Sequence, residues 1–188
     1  MTRQWRPGTI FTIGHSTHPI EAFIAMLKAY GIEILVDIRT IPRSRRNPQF
    51  AQEALAQALE PEGIAYRAMR ELGGLRRPRK DSPNLGWRNE SFRGYADYMQ
   101  SPEFQRAVGE LAGLGKTSRT AIMCAEAVPW RCHRSLVGDA LVVRNIPVED
   151  ILSAQKSSPH KLTKFAVVNG LQILYPPETQ SDSGDRLL

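Results

Sequence analysis

The chain has 188 residues, of which 41% are hydrophobic, and a formal net charge of +6 at pH 7. This length and composition suit one globular domain with a real core and exclude a disordered chain. No apolar run approaches the roughly 18 residues that span a bilayer, so we expect no membrane partner. The apolar run near the N-terminus is too short and polar for a signal peptide. We therefore expect a cytoplasmic location, with both cysteines as free thiols or ligands.

Arginine supplies most of the positive charge and is concentrated in one part of the sequence. Eleven arginines and six acidic residues lie between Arg39 and Arg93. A guanidinium group binds phosphate or carboxylate through paired hydrogen bonds, so this concentration indicates an anionic partner, either a small molecule or a nucleic acid. A solvated basic surface would have the same charge, and this alternative stays open.

The first part of the chain has the pattern of a βαβ unit. Gly8–Gly14 predicts a short apolar strand, and the helix that follows is expected to be capped at Thr17 or His18 and ended by Gly31. Ile32–Ile38 predicts a second strand, whose unbroken apolar centre suits a parallel strand buried on both faces. We therefore expect the two strands to be parallel.

The rest of the chain continues this alternation, except for the Gly-, Pro- and Arg-rich segment Leu72–Arg93. A connection of that length is usually functional or disordered. We predict a single three-layer α/β domain with a mostly parallel sheet over residues 1–175, and a polar, disordered tail over residues 176–188. Further strands are predicted at Ile64–Met69, Arg119–Met123, Asn145–Leu152 and Leu171–Tyr175, and further helices at Phe50–Leu59, Phe92–Met99, Pro102–Leu114, Cys132–Val143 and Leu162–Val168.

The segment Thr120–Ala140 concentrates reactive side chains at a predicted strand-to-helix junction. If the strands are parallel, this junction shares one sheet edge with the residues that follow the earlier strands, such as His15 and Arg39. Open α/β sheets bind ligands in crevices at that edge. Two thiols, a carboxylate, an imidazole and a guanidinium fall within eleven residues there: Cys124, Glu126, Cys132, His133 and Arg134.

These residue types suit covalent or acid–base chemistry. Cys132 lies where a helix begins, and the helix dipole lowers the pKa of a thiol at that position. The functional interpretation is a reactive Cys124 or Cys132, with His133 or His15 carrying protons. Glu126 suits a general base, a metal ligand or an arginine partner. A structural role for both cysteines stays open, since buried cysteine is common.

Two more specific chemistries fit the spacing poorly. A phosphatase-type loop needs arginine six residues beyond its cysteine, but Trp130 occupies that position after Cys124, and Arg131 follows it. Adjacent Cys132 and His133 are unusual zinc ligands, because neighbours on a helix point about 100° apart. We therefore assign no metal ligand, and the cofactor is unknown.

Five ordered motifs resemble the Domain of Unknown Function 488 family: TIGHS, LVDIRTIPRSRRNPQF, a Leu-Gly-Gly, MCAE…CHR and HKLT. The resemblance extends from about Thr12 to Tyr175. The family has no established activity, so the resemblance implies an α/β fold and site positions but no reaction. The positions it implies are Gly14, His15, Ser16, Asp37, Arg39, Pro42, Ser44, Gly73, Gly74, Cys124, Glu126, Cys132, His133, Arg134 and His160.

Our leading hypothesis is an enzyme that acts on a phosphate-bearing substrate, a nucleotide or a nucleic acid. One alternative is a non-catalytic nucleic-acid binder, in which Trp87, Phe92 and Tyr95 stack on bases among the arginines. Another is a metal-dependent hydrolase. The candidate catalytic residues are His15, Cys124, Glu126, Cys132 and His133, and the candidate anion-binding residues are Ser16, Asp37, Arg39, Ser44, Arg45, Gly73, Gly74 and Arg134.

Overall fold

A six-stranded sheet forms the centre of the computed structural model, which describes residues 5–43 and 45–177. The strands are β1 (Ile10–Gly14), β2 (Ile34–Asp37), β3 (Ala65–Ala68), β4 (Thr120–Cys124), β5 (Val148–Ile151) and β6 (Ser157–Pro159). Their order is β3-β2-β4-β1-β5-β6. The first five strands are parallel and β6 pairs antiparallel with β5, so the predicted mostly parallel sheet is confirmed.

Helices cover both faces of the sheet and give the domain three layers. The helices are α1 (Ile20–Ala29), α2 (Gln52–Leu59), α3 (Glu90–Tyr98), α4 (Pro102–Thr117) and α5 (Arg134–Val142). Helices α1 and α2 contribute Phe23 and Leu55 to one buried cluster. Helices α3, α4 and α5 contribute Tyr95, Phe104 and Leu136 to a second cluster. The predicted three-layer α/β architecture is therefore confirmed.

The strand register aligns the carboxyl ends of β1, β2 and β4 at the same edge of the sheet. Strand β4 lies between β1 and β2, so that Gly14 pairs with Cys124 and Asp37 pairs with Met123. Strand β1 continues into α1 on one face of the sheet, whereas β4 continues into α5 on the other. The chain therefore diverges beyond these strand ends, which is where open α/β sheets form ligand crevices.

Helix α1 begins differently from the prediction. Its N-terminal flanking residue is Pro19, and no side chain caps it, so the cap expected at Thr17 or His18 was wrong. The cause is a turn before the helix, in which the His18 N–H donates to the His15 carbonyl at 3.2 Å. The end of the helix was predicted correctly, since Gly31 adopts a φ of 62° immediately beyond it.

The C-terminal part also departs from the prediction. The expected helix at Leu162–Val168 is absent from the described residues, and β7 (Val167–Asn169) pairs instead with β8 (Gln172–Leu174) in a separate hairpin. Gly170 and Leu171 form the two-residue loop between these strands, and the φ of 59° at Gly170 suits a hairpin turn rather than a helix. Strand β6, which was not predicted, is three residues long and carries no apolar periodicity.

The long connection over residues 73–89 has little regular structure but is held in place by a buried carboxylate. Asp97 of α3 accepts hydrogen bonds from the Arg79 backbone N–H at 2.8 Å, the Ser82 hydroxyl at 2.6 Å and the Asn84 amide at 2.8 Å. Asn84 in turn accepts from the Tyr175 backbone N–H at 2.8 Å. This network fixes the loop that runs beside the strand ends.

Helix α4 offers a stability test that does not involve the site. A Cβ on exposed Gly109 would meet no atom within 4 Å, so we expect Gly109→Ala to stabilise the protein by about 1 kcal/mol through helix propensity. Gly115→Ala in the same helix is the matched control, because its Cβ would lie 2.4 Å from Ile10 Cδ1 and should destabilise. Urea unfolding of both variants checks the opposite signs.

Among the described residues, no helix has the length and apolar character needed to cross a membrane. Two predictions fall on residues outside the described ranges. One is the tail predicted over residues 176–188, of which 178–188 lie outside. The other is Ser44 as an anion-binding residue.

Candidate functional site

A cavity of about 740 Å³ opens at the carboxyl ends of β1, β2 and β4. Candidate residues from four separate chain segments meet in its lining, although they are far apart in the sequence. Among the candidates that the structure describes, those that do not line it are Asp37, Arg45, Gly73 and Arg134. Those that line it are His15, Ser16, Arg39, Gly74, Cys124, Glu126, Cys132 and His133.

Asp37 and Arg39 form a buried, bidentate ion pair beneath the cavity. The Arg39 Nη2 and Nε groups donate to Asp37 at 2.6 and 2.9 Å, and both side chains are almost fully buried. Tyr66 donates its hydroxyl to the same carboxylate at 2.7 Å, and Nη2 of Arg39 also donates to the Phe50 carbonyl at 2.8 Å. Arg39 is thus a rigid cation rather than a mobile one.

His15 serves to position Arg39. Its Nδ1–H donates to the Ser16 carbonyl at 2.8 Å, which leaves Nε2 to accept from Arg39 Nη1 at 3.3 Å. The ring also stacks on Phe50, with centroids 4.2 Å apart. Burial lowers the pKa of His15 to about 4, and the Arg39 charge adds to the decrease, although the bond to Ser16 opposes it. His15 is therefore neutral near pH 7, with both ring nitrogens engaged.

A compact cluster of Cys124, Cys132 and His133 forms another part of the cavity wall. His133 Nδ1 lies 3.9 Å from Cys124 Sγ and 3.8 Å from Cys132 Sγ. The three side-chain donor atoms all lie within 4.8 Å of one another. On the far side of the ring, Nε2–H donates to the Ile38 carbonyl at 3.2 Å, which leaves Nδ1 unprotonated and facing the sulfurs.

The two thiols differ in acidity. A hydrogen bond from Cys124 lowers the pKa of Cys132 to about 7, and the nearby Arg134 charge contributes, although burial opposes the decrease. The same hydrogen bond, together with burial, raises the pKa of Cys124 well above its usual range. Near neutral pH, therefore, Cys132 is the sulfur of the pair that loses its proton first.

Glycine at position 74 allows the loop after β3 to pass against the cluster. A Cβ there would lie 3.0 Å from His133 Nδ1. Gly73, which does not line the cavity, packs instead against Thr40, since its Cβ would lie 2.6 Å from that hydroxyl. Thr40 also donates its hydroxyl to the Gly74 carbonyl at 3.0 Å, so these residues fix the loop beside His133.

Arg134 is fully buried and faces away from the cavity. Its Nη2 donates to the Ala127 carbonyl at 2.9 Å, and its Nη1 makes a short hydrogen bond to the Glu126 carbonyl. A Cβ on Gly14 would overlap that Glu126 carbonyl, so only glycine fits beneath the loop. The Arg134 side chain thus holds the loop that carries Glu126, and its position does not suit direct contact with a ligand in the cavity.

Exposed groups complete the rim. Glu126 is exposed and is the single carboxylate among the described residues that line the cavity. Arg43, Arg46 and Arg131 line it as well, whereas Arg45 is exposed and is not part of the lining. The sequence predicted that the basic segment after β2 lies at the site. It did not predict which arginines of that segment line the cavity.

Backbone strain is concentrated at the same place. Ser16 and Leu75 adopt φ values of 47° and 56°, and both residues line the cavity. Asn145 is the other described non-glycine residue with positive φ, and asparagine tolerates that conformation better. Strained positions of this kind often occur at ligand-binding sites, because the surrounding structure must enforce them.

The aromatic residues of the arginine-rich loop face inward for the most part. Tyr95 is fully buried and donates to the Leu72 carbonyl at 2.7 Å, while Trp87 packs 5.6 Å from the Tyr175 ring. Phe92 lies at the cavity edge. The guanidinium of Arg76 stacks 3.6 Å from the centre of the Tyr98 ring. These contacts do not form the continuous row of exposed rings on which bases stack.

His160, another motif position, lies outside the cavity lining. Its side chain is almost fully buried between two carboxylates. Its ring nitrogens lie 3.0 Å from Asp139 Oδ1 and 3.2 Å from Asp150 Oδ2. Burial alone would lower the pKa of His160, but these two carboxylates outweigh it and raise the pKa to about 9.

The fold and the cavity together define an α/β protein with a cavity lined by polar and apolar residues at its strand ends. The chain belongs to the family described as Domain of unknown function DUF488, whose model matches residues 19–141. The match includes Arg39 and the cysteine cluster but is shorter at both ends than the resemblance suggested. No curated protein and no solved structure matches the chain.

Proposed function

We propose that this protein is an enzyme that acts on a small phosphate-bearing substrate, with a nucleotide as the best fit. The observation that carries the proposal is the lining of one cavity of about 740 Å³, where guanidinium groups meet a cluster of two thiols and an imidazole. That volume lies within the usual range for small-molecule sites, about 300–1,000 Å³.

The charge of the lining favours an anion. Four arginines, Arg39, Arg43, Arg46 and Arg131, line the cavity against the single carboxylate of Glu126 among the described residues. Arg39 is held by its ion pair, and described residues accept from four of its five N–H groups. Asp37 balances its charge, so Arg39 offers one directed N–H donor. The exposed arginines supply the positive charge that can adapt to a phosphate group.

The rim also offers apolar surface for a flat group attached to the phosphate. Leu75 is 72% exposed and Ile41 is 61% exposed, and both line the cavity with Phe92. Apolar side chains beside cations suit a nucleobase better than they suit inorganic phosphate alone. Glu126 carries protons in this proposal, because its exposed carboxylate is free to do so while His15 has both nitrogens engaged.

Binding of adenosine monophosphate tests the anion site. We expect Arg43→Gln/Arg46→Gln/Arg131→Gln to weaken it about tenfold or more, because each charge-assisted bond to phosphate contributes about 1.5–3 kcal/mol. Arg77→Gln/Arg88→Gln/Arg106→Gln is the matched control, with the same charge change at exposed arginines outside the cavity. Calorimetric titration of both proteins, with uncharged adenosine as a second ligand, gives the comparison.

Other results separate the alternatives. If adenosine monophosphate fails to bind and single-stranded DNA or RNA binds with a steep salt dependence, reduced equally by both triple variants, the nucleic-acid binder is correct. If the nucleotide binds in the cavity but phosphorus NMR detects no conversion of a nucleotide panel, the site is a binding site and the enzyme proposal fails.

A further inference from the structure

The cysteine–histidine cluster has the dimensions of a metal site. A tetrahedral zinc ion with bonds of about 2.3 Å to sulfur and about 2.0 Å to nitrogen separates its donor atoms by roughly 3.5–3.8 Å. His133 Nδ1 lies 3.9 and 3.8 Å from the two sulfurs. Small side-chain adjustments would therefore bring Cys124, Cys132 and His133 to the distances that the ion requires.

The backbone explains why adjacent ligands can converge here. The sequence argument against a metal assumed that Cys132 and His133 share a helix, but α5 begins only at Arg134. Cys132 is extended, with φ −136° and ψ 143°, and His133 is the flanking residue before the helix. Because the two residues are not helical neighbours, their side chains can point to one place, where the end of β4 also presents Cys124.

The surroundings orient the histidine as a ligand. His133 Nε2–H donates to the Ile38 carbonyl at 3.2 Å, and histidine ligands in metal sites almost always donate their second ring N–H in this way. Both cysteines are buried, at 8% and 3% exposure. Two thiolates with one divalent cation carry no net charge, so such a complex suits this buried position better than two separate thiolates do.

We propose that Cys124, Cys132 and His133 bind a divalent ion of the zinc class, with a fourth coordination position open to the cavity. Two thiolates and one imidazole are a donor set that selects zinc over magnesium or calcium. Three protein ligands with an open position are typical of catalytic rather than structural zinc. Among the described residues, no other group of three histidine, cysteine or acidic side chains has this geometry.

Glu126 is placed to transfer protons at the open coordination position. It follows Cys124 by two residues, lines the same cavity and has an exposed carboxylate. Where two cysteines and one histidine hold zinc in the base deaminases, a non-ligand glutamate transfers protons to and from the activated water. We assign Glu126 the corresponding role here. That role rests on the proposed function, whereas binding of the ion does not.

Titration of the reduced, chelator-treated protein with Co²⁺ alone tests the site. Thiolate ligands give charge-transfer absorption in the near ultraviolet, and a tetrahedral ion gives strong visible bands. We expect both to saturate at one equivalent and to disappear on addition of Zn²⁺. Cys124→Ser, Cys132→Ser and His133→Gln should each weaken binding about 100-fold or more, because outer-shell partners alone are worth about 10- to 100-fold.

His18→Gln is the matched control, since His18 follows Thr17 of the cavity lining but lies outside the cluster, and it should bind Co²⁺ like the parent protein. Gly74→Ala keeps all three ligands but places a methyl group 3.0 Å from His133 Nδ1, so it should bind more weakly while staying folded by circular dichroism. The proposal is overturned if the folded, fully reduced parent protein shows no charge-transfer band, or if the ligand variants bind as tightly as His18→Gln. Either result would leave nucleotide binding, measured separately on metal-free protein, to decide the proposed function.

Discussion

Replacing Asp37 by asparagine is expected to destabilise the protein by about 3 kcal/mol. The substitution keeps the shape of the side chain but removes the charge opposite Arg39, whose guanidinium then remains buried without a counter-ion. Breaking a buried pair in this way typically costs about 3–5 kcal/mol. We expect the lower end of that range because water in the adjacent cavity can reach Arg39. Urea unfolding followed by tryptophan fluorescence measures the loss.

Two further variants show whether the unpaired charge is the cause. Asp37→Asn/Arg39→Met removes the cation as well, so the double variant should be more stable than Asp37→Asn alone. Asp81→Ala breaks an ion pair with Arg79 of the same 2.6 Å length on the exposed surface, where we expect no measurable change. Equal losses in Asp37→Asn and the double variant would show that packing, not charge, dominates at this site.

The sequence was sufficient to predict a mostly parallel sheet, because its buried strands are continuous apolar runs. Val36 and Ile122, for example, lie in such runs and are fully buried. It was not sufficient for the strand order, since the insertion of β4 between β1 and β2 depends on packing across the whole domain. Strand β6 was missed because it is short and polar and exists only through its pairing with β5.

The site was predictable as a place but not as a set of roles. Because ligands bind beyond the ends of parallel strands, we expected His15, Arg39 and Cys124 to lie close together, and all three line one cavity. The direction of each side chain depends on partners distant in the sequence. Arg134 donates hydrogen bonds to backbone carbonyls inside the fold. His15 uses one ring nitrogen to bind a carbonyl and the other to accept from Arg39. Periodicity and local composition contain no information about such partners.

His160 should make the stability of the protein fall as the pH rises. Its ordinary pKa is 6.5 and its pKa in the folded protein is about 9, because Asp139 and Asp150 stabilise the protonated ring. Below pH 6.5 the ring is protonated in both states and its full contribution is present. Between these two values the folded state holds one more proton than the unfolded state, so raising the pH favours unfolding. The contribution lost is about 3 kcal/mol, from a pKa difference of roughly 2.5 units.

Comparison with His160→Gln isolates this effect. Cys132 titrates in the same pH range with the opposite sign, because its pKa is lower in the folded state, and it masks part of the decrease in the parent protein. The difference in unfolding free energy between the parent protein and His160→Gln removes the cysteine contribution, and we expect it to shrink steadily from pH 7 to about 9. NMR titration of the imidazole gives a direct second measurement, with a midpoint expected near pH 9. A difference that stays constant with pH, together with a midpoint near 6.5, would mean that the carboxylates do not hold the ring as a cation.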